Sequence, residues 1–399
     1  QPLSFRGVNR HETHPELGYA LTREVMEEDI RILKENNINA VRTSHYPNHP
    51  YWYYLCDKYG IYVVDEANVE CHSNMTTENE RLTEYLSAAI IDREYSMVRR
   101  DRNHACVVMW SLGNENKNPE ILRTILVQPY ADPEGTERVL HAYTCDRPWH
   151  YEQAKDMVET GIDVRSGMYA LPEELIAHGE ADGALPMIEC EYEHAMGNSL
   201  GNMDEYWAAF DTYRNLQGGF IWDLVDQSIA LESEDGESYF GYGGDFGEQV
   251  HDGNFCANGL LLPDRTLQPE MAEVKYHYQT VKFSDADVMN GWVEVRNYAL
   301  FTDPADKYAL HWALTREGEV LQEGVLEWEA LHVPCVDPQT NQPGRAQIRI
   351  PFTWEDGDLV AGCAYFLNLT VTLREAEGLL PAGHVVAREQ FELSPELPD

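Results

Sequence analysis

Asp101-Arg102-Asn103-His104-Ala105-Cys106-Val107-Val108-Met109-Trp110-Ser111-Leu112-Gly113-Asn114-Glu115 is the stretch that decides the fold. A polar turn leads into a short apolar run, which ends abruptly in Asn114-Glu115. Such a run is too short for a helix and suits a strand buried on both faces. Seven other segments have the same form: Phe5–Glu12, Ala40–Tyr46, Ile61–Val69, Pro148–Gln153, Val164–Tyr169, Met187–Glu193 and Phe220–Gln227. Several stretches between them have a helical period. Arg23–Asn37 repeats Val25, Met26, Ile30 and Leu33 behind the N-cap candidate Thr22, while Tyr51–Tyr59, Glu84–Arg100 and Asp204–Leu216 are further helix candidates. About eight β-then-α units predict an α/β chain folded as a (β/α)8 TIM barrel rather than an open sheet. It is an irregular barrel, because no regular helix is readable between Tyr151 and Val164.

The pattern changes near Tyr276–Asp285. Beyond it, Trp292–Phe301, Tyr308–Thr315, Val320–Glu329, Ala346–Phe352, Ala364–Arg374 and His384–Leu393 alternate like strands, with no convincing helix. Asp303-Pro304, Glu317-Gly318 and Asp356-Gly357 supply turns. The expected organisation is a TIM-barrel domain over 1–280 and an all-β, immunoglobulin-like sandwich over 281–399. Asn368-Leu369-Thr370 fits a glycosylation pattern but lies within an alternating strand, where a chance match is the better reading.

With 399 residues, 43% of them apolar, the chain has enough to build large cores, which excludes a disordered protein. Lys and Arg number 29 against 69 Asp and Glu, for a net charge of −40. So acidic a surface repels phosphate backbones and anionic headgroups, so neither nucleic acid nor a membrane surface is an expected partner. No apolar run reaches the ~18 residues of a membrane span. Eight cysteines without a C-x-x-C pair read as reduced thiols of a cytoplasmic protein. The start at Gln1, with neither Met nor a signal peptide, reads as a piece of something longer.

Function in a barrel gathers at the C-terminal ends of its strands. Those ends carry Asn9 to Glu12, Arg42 and His45, Asp65 to Asn68 with Glu70 and His72, then Asn114-Glu115; later come Tyr151-Glu152, Tyr169, Glu191-Tyr192 with His194, and Trp222-Asp223. Any one of these is commonly a cap or half of an ion pair. A single rim this rich in carboxylates, imidazoles and aromatics points to a site. Glu115 ends the fourth strand and Glu191 lies in the seventh, on opposite sides of the mouth, as the two carboxyls of a glycosidase require; a retaining enzyme holds them about 5–5.5 Å apart. Trp222, Tyr169 and Tyr192 suit the apolar face of a sugar, and Asn114 suits its 2-hydroxyl.

Residues 101–115 resemble the acid/base signature of glycoside hydrolase family 2. Cys190-Glu191-Tyr192-Glu193-His194-Ala195-Met196-Gly197-Asn198-Ser199 resembles the nucleophile segment of that family's large bacterial β-galactosidases, the LacZ type. Arg6–Glu12, Val41–Asn48, Val63–His72, Gly218–Asp223 and Phe255–Gly259 match in order, so the likeness covers residues 1 to about 280. It implies Glu191 as nucleophile and Glu115 as acid/base, with Tyr169 assisting the nucleophile. His11, His45, His194, Asn114 and Trp222 would contact galactose or the transition state. It further implies Mg2+ on Glu70, His72 and Glu115, and Na+ on the Phe255 carbonyl and Asn258. By itself the Glu70-x-His72 pair reads as readily as an ion pair. Other domains of family members complete the pocket and the Na+ shell, and their counterparts are not matched here. Residues 116–168 also depart from the family pattern, with Asn116-Lys117-Asn118 after the acid/base. The family's tendency to tetramers makes a homo-oligomer one expectation.

The implied activity is retaining hydrolysis of terminal β-D-galactosides. A β-glucuronidase or β-mannosidase of the same family is the alternative, and His194–Asn198 favours galactose. A metal-dependent isomerase or aldolase would want a rim lysine, yet Lys34, Lys58, Lys155, Lys275 and Lys282 all fall elsewhere. A chain that binds sugar without turnover is the third reading.

Overall fold

The computed structural model describes residues 3–70, 80–115, 129–131, 137–139, 149–151, 163–326, 331–354, 359–360 and 362–393; of 80–87 and of 129–151 only the backbone is described. The chain divides into two compact units, one of Leu3–Leu33 with Ile38–Glu273, the other of Val274–Asp399 with Lys34–Asn37.

Eight parallel strands close the first unit into a barrel. They are β1 (Phe5–Asn9), β2 (Ala40–Arg42), β3 (Tyr62–Glu66), β4 (Val107–Ser111), β7 (Trp149–Tyr151), β8 (Val164–Met168), β9 (Met187–Tyr192) and β10 (Leu216–Ile221), with β10 pairing back onto β1. A small antiparallel hairpin, β5 (Pro129–Ala131) and β6 (Glu137–Val139), stands between β4 and β7. Phe5, Ala40, Val64, Met109, Val164, Ile188 and Phe220, one from each of seven strands, fill the barrel interior.

Helix α1 (Arg23–Glu35) turns Met26, Ile30 and Leu33 inward. Helix α2 (Pro50–Tyr59) starts where the His49 side chain caps the Tyr51 N–H and Pro50 occupies the first turn, and stops at Gly60 in the left-handed region. α3 (Glu80–Asp101) runs down to the turn before β4. α4 (Pro172–Glu180) is not apparent from apolar periodicity; a Pro172 start and a Glu174 carboxylate accepting the Leu171 N–H begin it. α5 (Met203–Thr212) ends short of the Leu216 limit read from sequence. The expected irregularity between Tyr151 and Val164 lies outside the described residues.

The last barrel strand corrects the sequence reading. It occupies Leu216–Ile221, not Phe220–Gln227, because Gly218-Gly219 lies within the strand rather than before it. A Cβ at Gly219 would meet the Glu189 Cβ at 2.8 Å, so the close approach of β9 admits only glycine there. After the strand, β11 (Ile229–Glu232) and β12 (Ser238–Gly241) form a hairpin the sequence reading did not include, and α6 (Glu270–His277) follows.

The second unit is a sandwich of antiparallel sheets. One holds β13 (Val281–Asp287), β14 (Trp292–Asn297) and β17 (Gly344–Arg349); the other holds β15 (Tyr308–Arg316), β16 (Glu319–Leu326), β18 (Tyr365–Leu373) and β19 (Val385–Leu393). Alternate residues such as Val293, Val295, Leu310, Leu314, Leu367 and Leu369 build its core. Two expectations are corrected. β13 is a strand missing from the sequence reading, and a short helix, α7 (Pro304–Lys307), replaces a simple turn because Asp303 caps the Ala305 N–H ahead of Pro304. Asn368 bonds to Thr315 and Gln390 side chains across its sheet.

One buried group weakens the barrel. Glu94 of α3 is fully buried with neither carboxylate oxygen hydrogen-bonded, and burial, then the charges of Glu66 and Asp65, push its carboxyl well above the ordinary range. Its folded-state pKa is raised, so the penalty appears as pH rises through the ordinary carboxyl range and is absent below it. Glu94→Leu is therefore expected to stabilise the chain by about 1–3 kcal/mol at pH 8 and by little at pH 4. Urea unfolding at both pH values checks this; equal effects at the two would contradict it.

Candidate active site

β9 carries Cys190, Glu191 and Tyr192 on alternating faces. Glu191 points into a cleft of about 690 Å3 at the C-terminal mouth of the barrel, while Tyr192 turns away. The expectation that Tyr192 faces a sugar is thus corrected: it is fully buried against Tyr206 and Phe210, and its hydroxyl accepts from the Trp207 indole. Strand parity separates neighbours that the sequence presents side by side.

The two oxygens of Glu191 are held separately. Oε1 accepts from Arg42 Nη1 at 2.9 Å and Oε2 from the Tyr169 hydroxyl at 3.0 Å. Burial, then the Glu191 charge, pushes the Tyr169 phenol well above its usual range, so it stays a donor. Glu115 lines the same cleft beyond the end of β4. The chain reaches that position through Gly113 at φ +110°, where a Cβ would meet the Val69 carbonyl at 2.2 Å. This close approach lets Asn114 donate its N–H to Val69 and bridge to Glu70. Glu115 and Tyr169 themselves have left-handed φ of 43° and 55°. Non-glycine residues adopt such a backbone at a cost of order 1 kcal/mol, and it recurs at functional sites.

Arg42 is the centre of the site, although the sequence reading gave it a place at the rim and no role. Fully buried at the end of β2, its guanidinium reaches Glu66 Oε2 (2.7 Å), Asn9 Oδ1 (2.9 Å), Asn114 Oδ1 (3.0 Å) and Glu191. Burial alone would push the Glu66 carboxyl up, but Arg42, with His45 and Ser111, holds it down at about 2. His45 in turn lies 2.7 Å from Glu66 through Nδ1 and 3.2 Å from the Asn114 amide through Nε2. The only sign of this network in the sequence was an arginine at the end of a buried strand, which must find carboxylates.

Aromatic rings line one wall. His45 stacks on Trp222 with centroids 5.1 Å apart, and His11 stands edge-on to both. Burial, then the neighbouring His45, lowers His11 to about 3, so it is neutral at any pH near 7. His194 lies between Tyr169 and Phe255, and its imidazole is also lowered by burial.

Of the twelve site residues expected from sequence, eleven line this cleft: Glu115, Glu191, His11, His45, Asn114, Tyr169, His194, Trp222, Glu70, Phe255 and Asn258. His72, the remaining one, and the rim residue Glu152 lie outside the described residues. Gln227 and Asp252 line it too, from segments that sequence reasoning left without a role.

The donor chemistry suits cations. Asn258 Nδ2 donates to the Phe255 carbonyl at 3.0 Å, while its Oδ1 is buried with no hydrogen-bond partner, an oxygen that a hard ion would satisfy. Glu70 accepts from Asn114 at 3.3 Å and keeps its side chain 41% exposed, beside Glu115 in the same cleft. Two carboxylates fit Mg2+.

Comparison with known proteins identifies the family of the chain. Residues 1–283 match the model of the glycosyl hydrolases family 2 TIM barrel domain, and 293–394 match that of β-galactosidase domain 4. The chain is 41% identical over 411 residues to a β-galactosidase of Vibrio vulnificus and 40% identical to one of Psychromonas ingrahamii. The alignments cover 98% and 99% of this chain and 37% of each relative. It thus spans little more than a third of the length of the curated relatives it matches. The crystal structure of Ruminococcus gnavus β-glucuronidase shares the fold at 20% identity, with a TM-score of 0.54 over 70% of this chain and 51% of that one. The chain belongs to glycosyl hydrolase family 2.

Proposed function

We propose that this chain carries the active site of a retaining glycosidase that releases terminal β-D-galactose. The observation that carries the reading is Glu191, held through Oε1 by Arg42 and through Oε2 by Tyr169, facing the cleft that Glu115 also lines. In the first step the Glu191 carboxylate attacks the anomeric carbon. The bond to the leaving oxygen breaks as the Glu115 carboxyl gives that oxygen its proton. In the second step Glu115 takes a proton from water, whose oxygen attacks the same carbon and frees Glu191. Trp222 offers a face to the sugar ring, and Asn114, oriented by Arg42, offers its amide to the 2-hydroxyl.

Glu70 and Glu115, with His72, would hold Mg2+, and the Phe255 carbonyl with Asn258 Oδ1 would hold Na+. Bound there, the ions would supply positive charge that tunes the acid/base carboxyl and orients sugar hydroxyls. Among the described residues, cysteines such as Cys56 and Cys106 are thiols rather than disulfides, which suits a reducing, cytoplasmic setting.

The relatives named β-galactosidase favour galactose over glucuronate, and so does charge. Glu70, Glu115, Glu191 and Asp252 line the cleft, with no Lys or Arg among its described lining residues. An anionic uronate would meet repulsion there. An aryl β-galactoside is therefore expected to turn over at least ~10²-fold better in kcat/KM than the aryl β-glucuronide. Chelation of divalent ions should lower the galactoside rate, and added Mg2+ should restore it. The reverse preference would overturn the galactoside reading. Galactose binding without turnover would leave the chain a sugar-binding fragment of the enzyme.

A further inference from the structure

The barrel carries a second cluster of chemistry-bearing side chains at its other end. The carboxylate of Asp57, near the end of α2, accepts from the Cys106 N–H at 2.8 Å and lies 2.7 Å from His104 Nδ1. Cys106 immediately precedes β4, whereas Glu115 follows it, so at ~3.3 Å per residue the cluster lies well over 15 Å from the cleft. Ligand atoms of Asp57, His104 and Cys106 all lie within 4.8 Å of one another, the one such trio among the described residues. The Cys106 thiol donates to the Tyr53 carbonyl at 3.6 Å, and the buried Cys56 neighbours Asp57 on α2.

We propose that Asp57, His104 and Cys106, with the Cys56 thiol behind them, form a binding site for a divalent metal of the zinc class. The mixed set of sulfur, imidazole nitrogen and carboxylate oxygen is the one such an ion takes, and its thiolate is a soft ligand that Mg2+ and Ca2+ do not favour. Tetrahedral zinc, with bonds of about 2.0–2.3 Å, spaces its ligands about 3.5 Å apart, so the observed cluster needs side-chain adjustment of about 1 Å. Asp57 and His104 are about a third exposed and offer an entrance, while Cys106 and Cys56 are buried beneath. Binding replaces the Cys106 S–H bond with a sulfur–metal bond and releases the proton to solvent. Affinity should therefore rise about tenfold per pH unit wherever the thiol is otherwise protonated. The bound ion would join α2 to the turn before β4 and so stabilise the barrel without touching its chemistry.

The test is a Co2+ titration of the full chain, kept reduced with a phosphine that does not bind metals, followed by displacement with Zn2+. The expected result is a near-ultraviolet thiolate-to-cobalt charge-transfer band that saturates at one equivalent of band-forming Co2+ per chain, a band that Co2+ in the carboxylate-rich cleft cannot give. Glu70→Gln, in the cleft, should keep the band. Cys106→Ser should lose it, and His104→Gln, at a position about a third exposed, should weaken binding at least tenfold. Zn2+ should raise the Tm of the wild type and of Glu70→Gln but not of Cys106→Ser. No thiolate band in the wild type, a band that survives Cys106→Ser, or affinity unchanged in His104→Gln would each overturn the site.

Discussion

Glu191→Gln is expected to lower kcat on an aryl β-galactoside by at least ~10³-fold while leaving the fold intact. The carboxamide keeps the size of the side chain and can still meet Arg42 or Tyr169, but it has no negative charge with which to attack the anomeric carbon, and no glycosyl-enzyme forms. Arg42 retains Glu66 and Asn114 as partners, so the loss should fall on chemistry rather than on stability. A 2-deoxy-2-fluoro galactoside with a good leaving group gives the second readout. In the wild type it should leave a covalent adduct on the Met187–Glu193 segment, found by mass spectrometry, and in the variant none. An adduct on any other carboxylate would remove Glu191 from the role of nucleophile. The same label bears on Glu115: its replacement by Gln should slow leaving-group departure most for poor leaving groups, which need the proton.

Arg42→Ala carries the other large effect, and it should strike stability and activity together. The substitution strands Glu66 and Glu191, which are both buried, so its cost is expected at about 3–5 kcal/mol. Arg42→Lys keeps a positive charge but not the planar fork that spans four partners, and should recover only part of the loss. Acid titration separates this account from a simple cavity. Arg42 and its neighbours hold Glu66 at about 2, below the unfolded value of about 4.5, so the stability this provides is present above pH 4.5 and lost as pH falls towards 2. The gap in unfolding free energy between wild type and Arg42→Ala should therefore be widest above pH 5 and narrow through that window. A gap independent of pH would mean the pairing with Glu66 contributes nothing. Because Asn114 and the nucleophile lose the same partner, kcat should fall by at least ~10² even in Arg42→Lys, whose milder folding defect keeps the measurement clean.

The one-dimensional order of residues was enough to fix fold class and most of the mouth. Each buried parallel strand had to read as a short apolar run, and all but the last run marked its strand, which put Asn114-Glu115 and Glu191 on one rim with Trp222. The sandwich was legible for the same reason, since its antiparallel strands bury alternate residues. Some elements were not legible: α4 and the β11–β12 hairpin are set by a proline start, a cap or a partner strand rather than by an apolar period, and β13, although Val281 and Phe283 alternate into the core, follows directly on α6. What only the tertiary structure decided is which neighbour faces which way, and who partners whom. Strand parity sent Tyr192 into the core and Glu191 into the cleft, and the close approach of β1 to Gly218 and of β9 to Gly219 placed both glycines inside a strand. The junction of Arg42 with Asn9, Glu66, Asn114 and Glu191 joins the end of β2 to the ends of four other strands, up to 149 residues away in the chain. No local pattern encodes it, because a buried guanidinium acquires its partners from barrel closure and not from the residues beside it in the chain.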